Sequence, residues 1–197
     1  MTTYGATFDI VQPGKFDRVQ IAIRIAIFVI LSIPASAVYL GIPVVAAIQI
    51  SQRGAERYLA EAGENMTKWL RILVAFLAYL VLLTDRFPTE DPKETLHFEV
   101  ETSGSPTVGS TIMRIILAIP HAIVLWALGI VAGVLMLIAA VMILFQETYP
   151  EGIYNFLRGV MRWEARLFAY MASLVDEYPP FALDMEAEGT SPAQPGA

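Results

Sequence analysis

The sequence predicts an all-α membrane protein: four transmembrane helices forming two helical hairpins of the same orientation, with short strands outside the bilayer. Three observations carry this reading. Apolar residues make up 56% of the 197-residue chain and charged residues only 16%, against about 25% charged in soluble domains, and the mean hydropathy is +0.57. The charge is also segregated: from residue 115 to 145 only His121 can titrate, while acids gather in 85–101 and 176–188. Finally, the chain says one thing twice. LLTDRFP (82–88) returns as SLVDEYP (173–179), and each half opens on a Phe-acid-aliphatic stretch, Phe8-Asp9-Ile10 and Phe98-Glu99-Val100.

Residues 6–12 and 96–102 alternate apolar and polar side chains, the pattern of a half-buried strand, and predict two short strands paired with each other on one side of the bilayer. A helix crossing ~30 Å of hydrocarbon needs about 20 apolar residues. Four stretches approach that length: 21–50, 69–83 (extended by Met66 and Thr67), 112–145 and 153–175. The first and third exceed one crossing, and Ile33-Pro34 and Ile119-Pro120 lie near their starts, with Pro43 further along the first. A proline removes a backbone donor and clashes with the preceding turn, so each long run is expected to break there and continue as the crossing helix. Gly41, Gly129 and Gly133 fall within the crossing portions, where small residues let helices approach closely.

Arg71, Tyr79, Leu83, Asp85 and Pro88 recur at one constant offset as Arg162, Tyr170, Leu174, Asp176 and Pro179. Two crossings per half give both halves the same orientation, the parallel kind of repeat. Residues 1–92 form the first hairpin repeat and 93–183 the second. The tail 184–197, acidic and then rich in Pro and small residues, cannot bury enough apolar surface to fold.

A net charge of −6 argues against nucleic acid, which favours a basic face. The absence of cysteine excludes disulfides, thiolate catalysis and zinc–cysteine sites. Residues 1–20 are polar and contain Asp9 and Asp17, unlike a signal peptide, so the first apolar segment is expected to be retained as an anchor. Lys and Arg are nearly balanced between the two sides, with a slight excess on the hairpin loops. The positive-inside rule therefore leans towards termini that share the outer side of the membrane.

Candidate functional residues concentrate in the last helix. Tyr154, Arg158, Arg162, Arg166 and Tyr170 recur every fourth residue and form one stripe on a helix. Three readings of the stripe stand side by side. Its arginines reach lipid phosphates while their stems cover apolar surface; or they bind an anionic group such as a lipid head group or a carboxylate; or they dock another subunit. The first half has Thr67 and Ala75 where the second has Arg158 and Arg166, so specialisation belongs to the second half.

Asp85 and Asp176 each follow an apolar helix end, where the helix dipole disfavours a carboxylate. Something must hold them, and Arg24 and Arg114 are the candidate partners; a solvated turn is the alternative. His121 reads as a packed or interfacial histidine, since metal ligation would need several convergent donors. No phosphate loop, nucleophile elbow or HExxH motif occurs. No metal and no cofactor is expected.

The run from Arg114 through Ile119-Pro120-His121, then Tyr149-Pro150, then Asn155 through Arg158, Gly159, Arg162 and Trp163, then Arg166, Tyr170 and Asp176-Glu177-Tyr178-Pro179-Pro180-Phe181 resembles bacterial membrane proteins grouped as "domain of unknown function 4389". The resemblance covers about residues 96–183. The first half resembles the family in outline only: it keeps Phe8-Asp9-Ile10, Arg18, Ile33-Pro34 and Asp85 to Pro88, but lacks the histidine, the Tyr-Pro hairpin and the Gly-x-x-Arg-Trp run. The resemblance implies a multi-pass fold in a bacterial inner membrane, with tandem copies familiar, and supplies no catalytic residues.

The expected function is non-enzymatic: an accessory or scaffold membrane protein packing against lipids, a larger membrane complex or a second copy of itself. The alternatives are a transporter or channel component with a pathway between the repeats, or an anionic-lipid-binding protein.

Overall fold

The computed structural model describes residues 4–14, 16–88, 92–93 and 95–183, apart from the side chains of residues 19, 22, 28, 29 and 31–36. The tail read as unfolded lies outside the described residues, as does part of the linker between the halves.

Strands β1 (Ala6–Ile10) and β2 (Leu96–Val100) pair antiparallel, with Phe8 opposite Phe98. Ala6, Phe8 and Ile10 point inward with Leu96 and Phe98, while Thr7, Asp9 and His97 point out. The period-two alternation of the sequence is thus the inside and outside of this ribbon.

Helix α1 (Arg18–Arg53) follows, then a short α2 (Ala55–Arg57), a π-helical turn (Tyr58–Ala62) and α3 (Gly63–Leu80). Gly54 sits between α1 and α2 at φ 78°, a backbone angle that glycine adopts without steric cost. In the second half α4 (Val108–Leu117), α5 (Ile119–Gln146) and α6 (Glu151–Met171) follow one another. A capping box starts α4: the Ser110 amide donates to Thr107 Oγ1 at 3.1 Å, and the Thr107 amide donates to Ser110 Oγ at 2.9 Å. The two orphan donors satisfy each other's side chains.

The structure corrects the expected architecture. There are not four transmembrane helices in two hairpins: among the described residues one helix, α5, is long and apolar enough to cross a membrane by length and composition. The other expected spans differ in kind. Glu64, Lys68 and Arg71 occupy the first half of α3. Helix α6 carries Glu151, Arg158, Arg162, Glu164 and Arg166, yet it lies in the interior. A tally of apolar stretches cannot separate a lipid-facing helix from an amphipathic helix buried by its neighbours. The shared side for the termini, which rested on four crossings, falls with them.

Two local expectations also change. Only one of the two proline breaks exists. Helix α4 ends at Leu117, Ala118 makes the turn, and Pro120 opens α5 at a position where its missing N–H has no partner to lose. In α1 the backbone stays helical through Pro34 and Pro43. The glycines, too, do not serve close helix approach: a Cβ added at Gly41, Gly129 or Gly133 would meet nothing within 4 Å. They open space instead of closing it.

Candidate functional site

Helix α6 is the centre of the molecule, with 14 of its 21 residues buried, and its two faces do different things. The face carrying the arginine stripe turns towards β1 and the segment after α6. The backbone of Val11 donates to Thr95 at 3.1 Å and that of Glu101 to Gly5 at 2.7 Å. Hydrogen-bonded pairs alternate along an antiparallel ladder, so Phe8–Phe98 is a non-hydrogen-bonded pair whose carbonyls face out of the ribbon. Both are capped by an arginine. Arg162 Nε donates to the Phe8 carbonyl at 3.1 Å, and Arg71 Nε donates to the Phe98 carbonyl at 2.9 Å. Each strand is therefore held by the helix of the other half, at equivalent positions of the repeat.

The rest of the stripe is similarly engaged. Arg162 Nη1 also donates to the Leu183 carbonyl at 3.3 Å, and Arg166 Nη1 donates to that of Ala182 at 3.4 Å. Asp9 lies 3.5 Å from Arg158 and 3.7 Å from Arg162. Tyr154 donates to the Leu83 carbonyl at 3.3 Å. The Tyr170 ring lies under the Arg114 guanidinium, 4.4 Å from its centroid. The stripe ties a strand and a loop to the helix.

The candidate aspartate partners meet. Arg24 Nη2 lies 2.9 Å from Asp85, and Arg114 Nη2 lies 2.8 Å from Asp176. Each arginine also donates to carbonyls at the helix end: Arg24 to Thr84 at 2.9 Å, and Arg114 to Tyr170 at 2.8 Å and to Val175. Arg24 stacks over Tyr79 at 4.0 Å, as Arg114 does over Tyr170. Both helices end in the same way. The Leu83 amide reaches back to Ala78 and that of Leu174 to Ala169, with Leu82 at φ 65° and Ser173 at φ 57° between. This is a Schellman closure made twice without its usual glycine, and each arginine donates to a carbonyl just beyond it, Arg24 to Thr84 and Arg114 to Val175. Gly104, at φ 82°, packs so closely that an added Cβ would lie 2.6 Å from the Asp176 Cβ.

Two tyrosines outside the candidate span act as donors in the same framework. Tyr58 donates to the Ala172 carbonyl and Tyr4 to that of Arg166. Burial pushes both phenols above their ordinary range, so they stay protonated and able to donate. Burial also raises the Tyr149 phenol, with the neighbouring Tyr154 adding to it.

Two features join residues whose partners the sequence did not indicate. On one side of α6, Trp163 Nε1 donates to His121 Nδ1 at 2.8 Å, and Phe181 stacks on the imidazole with centroids 4.0 Å apart. His121 is fully buried. On the other side, Tyr39 of α1 donates to Glu164 Oε1 at 2.7 Å, and both line a cavity of about 240 Å³. Leu73, Gly129, Gly133, Met136 and Val160 line it with Glu164. A larger groove of about 800 Å³ runs between α1 and α3, from Val38, Gly41 and Phe76 at one end to Gln49, Arg53 and Asn65 at the other.

Residues 109–182 match the model of a family described as Domain of unknown function (DUF4389). The match supports that family. It takes in α4, α5 and α6, with the Arg114–Asp176 pair, the His121–Trp163–Phe181 cluster and Glu164; Tyr39 lies outside it. The family description carries no activity. No curated protein and no solved structure matches the chain.

Proposed function

We propose that this chain is a membrane-embedded accessory or scaffold protein without enzymatic activity, anchored by α5 and joined to lipids and to a larger complex. The observation that carries the reading is the exposure of the most apolar helix. Ile123, Trp126, Ile130, Val134 and Phe145 stand out from α5, Trp126 and Phe145 at 71% and 79% exposure. The surface continues on α4 through Ile112 and Ile116, and on α1 through Leu40 and Ile48. Contiguous apolar surface on this scale marks a membrane or partner contact, and lipid would cover it without a folding cost.

The first half is read as a second, diverged copy of the family's domain. Its support is the twice-made corner of Schellman closure, arginine, aspartate and tyrosine, together with the crossed Arg71 and Arg162 caps.

Native purification of the full chain in mild detergent, with mass spectrometry of partners and lipids, tests the proposal. It predicts recovery with phospholipid and with the same larger complex each time. Recovery as a lone, lipid-free species would overturn it, and solute flux in proteoliposomes would move the assignment to transport.

One observation favours a second reading, anionic-lipid binding, at a different place from the arginine stripe. The α1–α3 groove is apolar at the Val38 end and polar at the Arg53 end. From residue 38 to 53 a helix rises roughly 22 Å at 1.5 Å per residue, enough for one acyl chain with its head group at Arg53. Gly41→Leu would fill the groove, and its expected effect is loss of the tightly copurifying lipid while the fold is kept.

A further inference from the structure

We infer that the cavity between α1, α3, α5 and α6 is a binding site for a compact hydrophobic monocation, a protonated amine on an apolar body, with Glu164 as its counter-charge and Tyr39 as its positioning residue. The inference is independent of membrane insertion.

Glu164 is a partly buried carboxyl whose hydrogen bond comes from one neutral phenol, that of Tyr39 at 2.7 Å. Among the described residues no Lys, Arg or His lies within ion-pair distance of it. The contrast within α6 is sharp: Arg158 and Arg162, on the opposite face, share Asp9. Burial favours the protonated form of Glu164, because an ionised carboxylate taken out of water without a cation is costly. A ligand bearing one positive charge offsets the cost of the ionised form.

The walls select the kind of cation. They are the side chains of Leu73, Leu77, Met136, Val160 and Phe168, with the Phe168 ring 5.2 Å from that of Tyr39. Inorganic cations such as Ca²⁺ and Mg²⁺ need six or more oxygen ligands, and here one carboxylate and one phenol face apolar surface. Pockets for drug-sized ligands hold about 300–1,000 Å³, so about 240 Å³ suits a small compact body. The room is made by Gly129 and Gly133, where an added Cβ would touch nothing within 4 Å.

Equilibrium dialysis of the full chain in neutral detergent, with radiolabelled adamantylamine as the probe and adamantanol as its uncharged counterpart, tests the site. Wild type is expected to bind the amine saturably, and at least about tenfold more tightly than the alcohol, a factor that one modest ionic contact supplies. Glu164→Gln keeps the size and still accepts from Tyr39. It should erase that preference and leave adamantanol binding as it was. Gly133→Leu should fill the cavity and abolish saturable binding of both probes. Amine uptake that only tracks micelle partition, equal affinity for amine and alcohol in wild type, or full amine affinity in Glu164→Gln would each overturn the assignment. If Glu164→Gln does not fold, the amine-to-alcohol ratio in wild type and the Gly133→Leu result still decide it.

Discussion

Helices α5 and α6 lie side by side and are opposites. Helix α5 has no charged residue between Ile119 and Gln146, yet only 6 of its 28 residues are buried. Helix α6 carries three arginines and two glutamates, and 14 of its 21 residues are buried. In a protein surrounded by water the order would be reversed, because burying apolar area is the main stabilising term and burying charge is the main cost. The inversion is consistent only if each helix has its own compensation. For α6 it is visible: strand carbonyls, loop carbonyls and Asp9 receive the arginines. For α5 the proposed compensation is lipid outside the protein.

Substitutions on either helix separate the two kinds of compensation. Arg114 holds the C-terminal end of α6 through two carbonyls and Asp176. Arg114→Ala leaves these acceptors without a donor and should cost about 3–5 kcal/mol, the usual penalty for breaking a buried pair, read from denaturation in detergent. Asp176 is itself 66% exposed, so Asp176→Asn should cost under about 1 kcal/mol, as an exposed pair does. Val134→Asp acts on the other helix. Placed in lipid, a charge near the centre of α5 costs about 2.5–3.5 kcal/mol of insertion, and recovery in the membrane fraction should fall; with water around α5, yield would be unchanged or improved.

Trp163→Phe keeps the ring against Phe181 but leaves His121 Nδ1 without its donor, at a cost of about 1–3 kcal/mol. The matching position of the first half, by sequence, has no histidine partner, so this loss has no counterpart there. The smallest effect has the opposite sign. Gly129→Ala adds a methyl into open space and should stabilise the helix by about 0.5–1 kcal/mol, measurable as a small rise in melting temperature.

Much of the local chemistry was legible because it is local or repeated. Alternation in 6–12 and 96–102 marks β1 and β2, and the repeat singles out Asp85 and Asp176, whose candidate partners Arg24 and Arg114 the structure joins to them. What was not legible depends on neighbours. An every-fourth-residue arginine stripe looks the same whether it meets lipid phosphate, a ligand or the carbonyls of a strand far away in sequence; the acceptor at Phe8 is 154 residues from Arg162. Glu164 gave no sign of its partner for the same reason, since Tyr39 lies 125 residues away. The count of spans failed because hydropathy averages over a helix and cannot see which helices surround it.

The central claim is that lipid covers the outer face of α5. The chain has no cysteine, so a single introduced thiol reports one position. Val134→Cys is the direct probe: Val134 is 56% exposed on that face. With intact membranes and a water-soluble maleimide, the account predicts that this thiol stays unlabelled until the membrane is dissolved, while Glu61→Cys on an exposed turn reacts at once. Equal labelling of the two in intact membranes would contradict it.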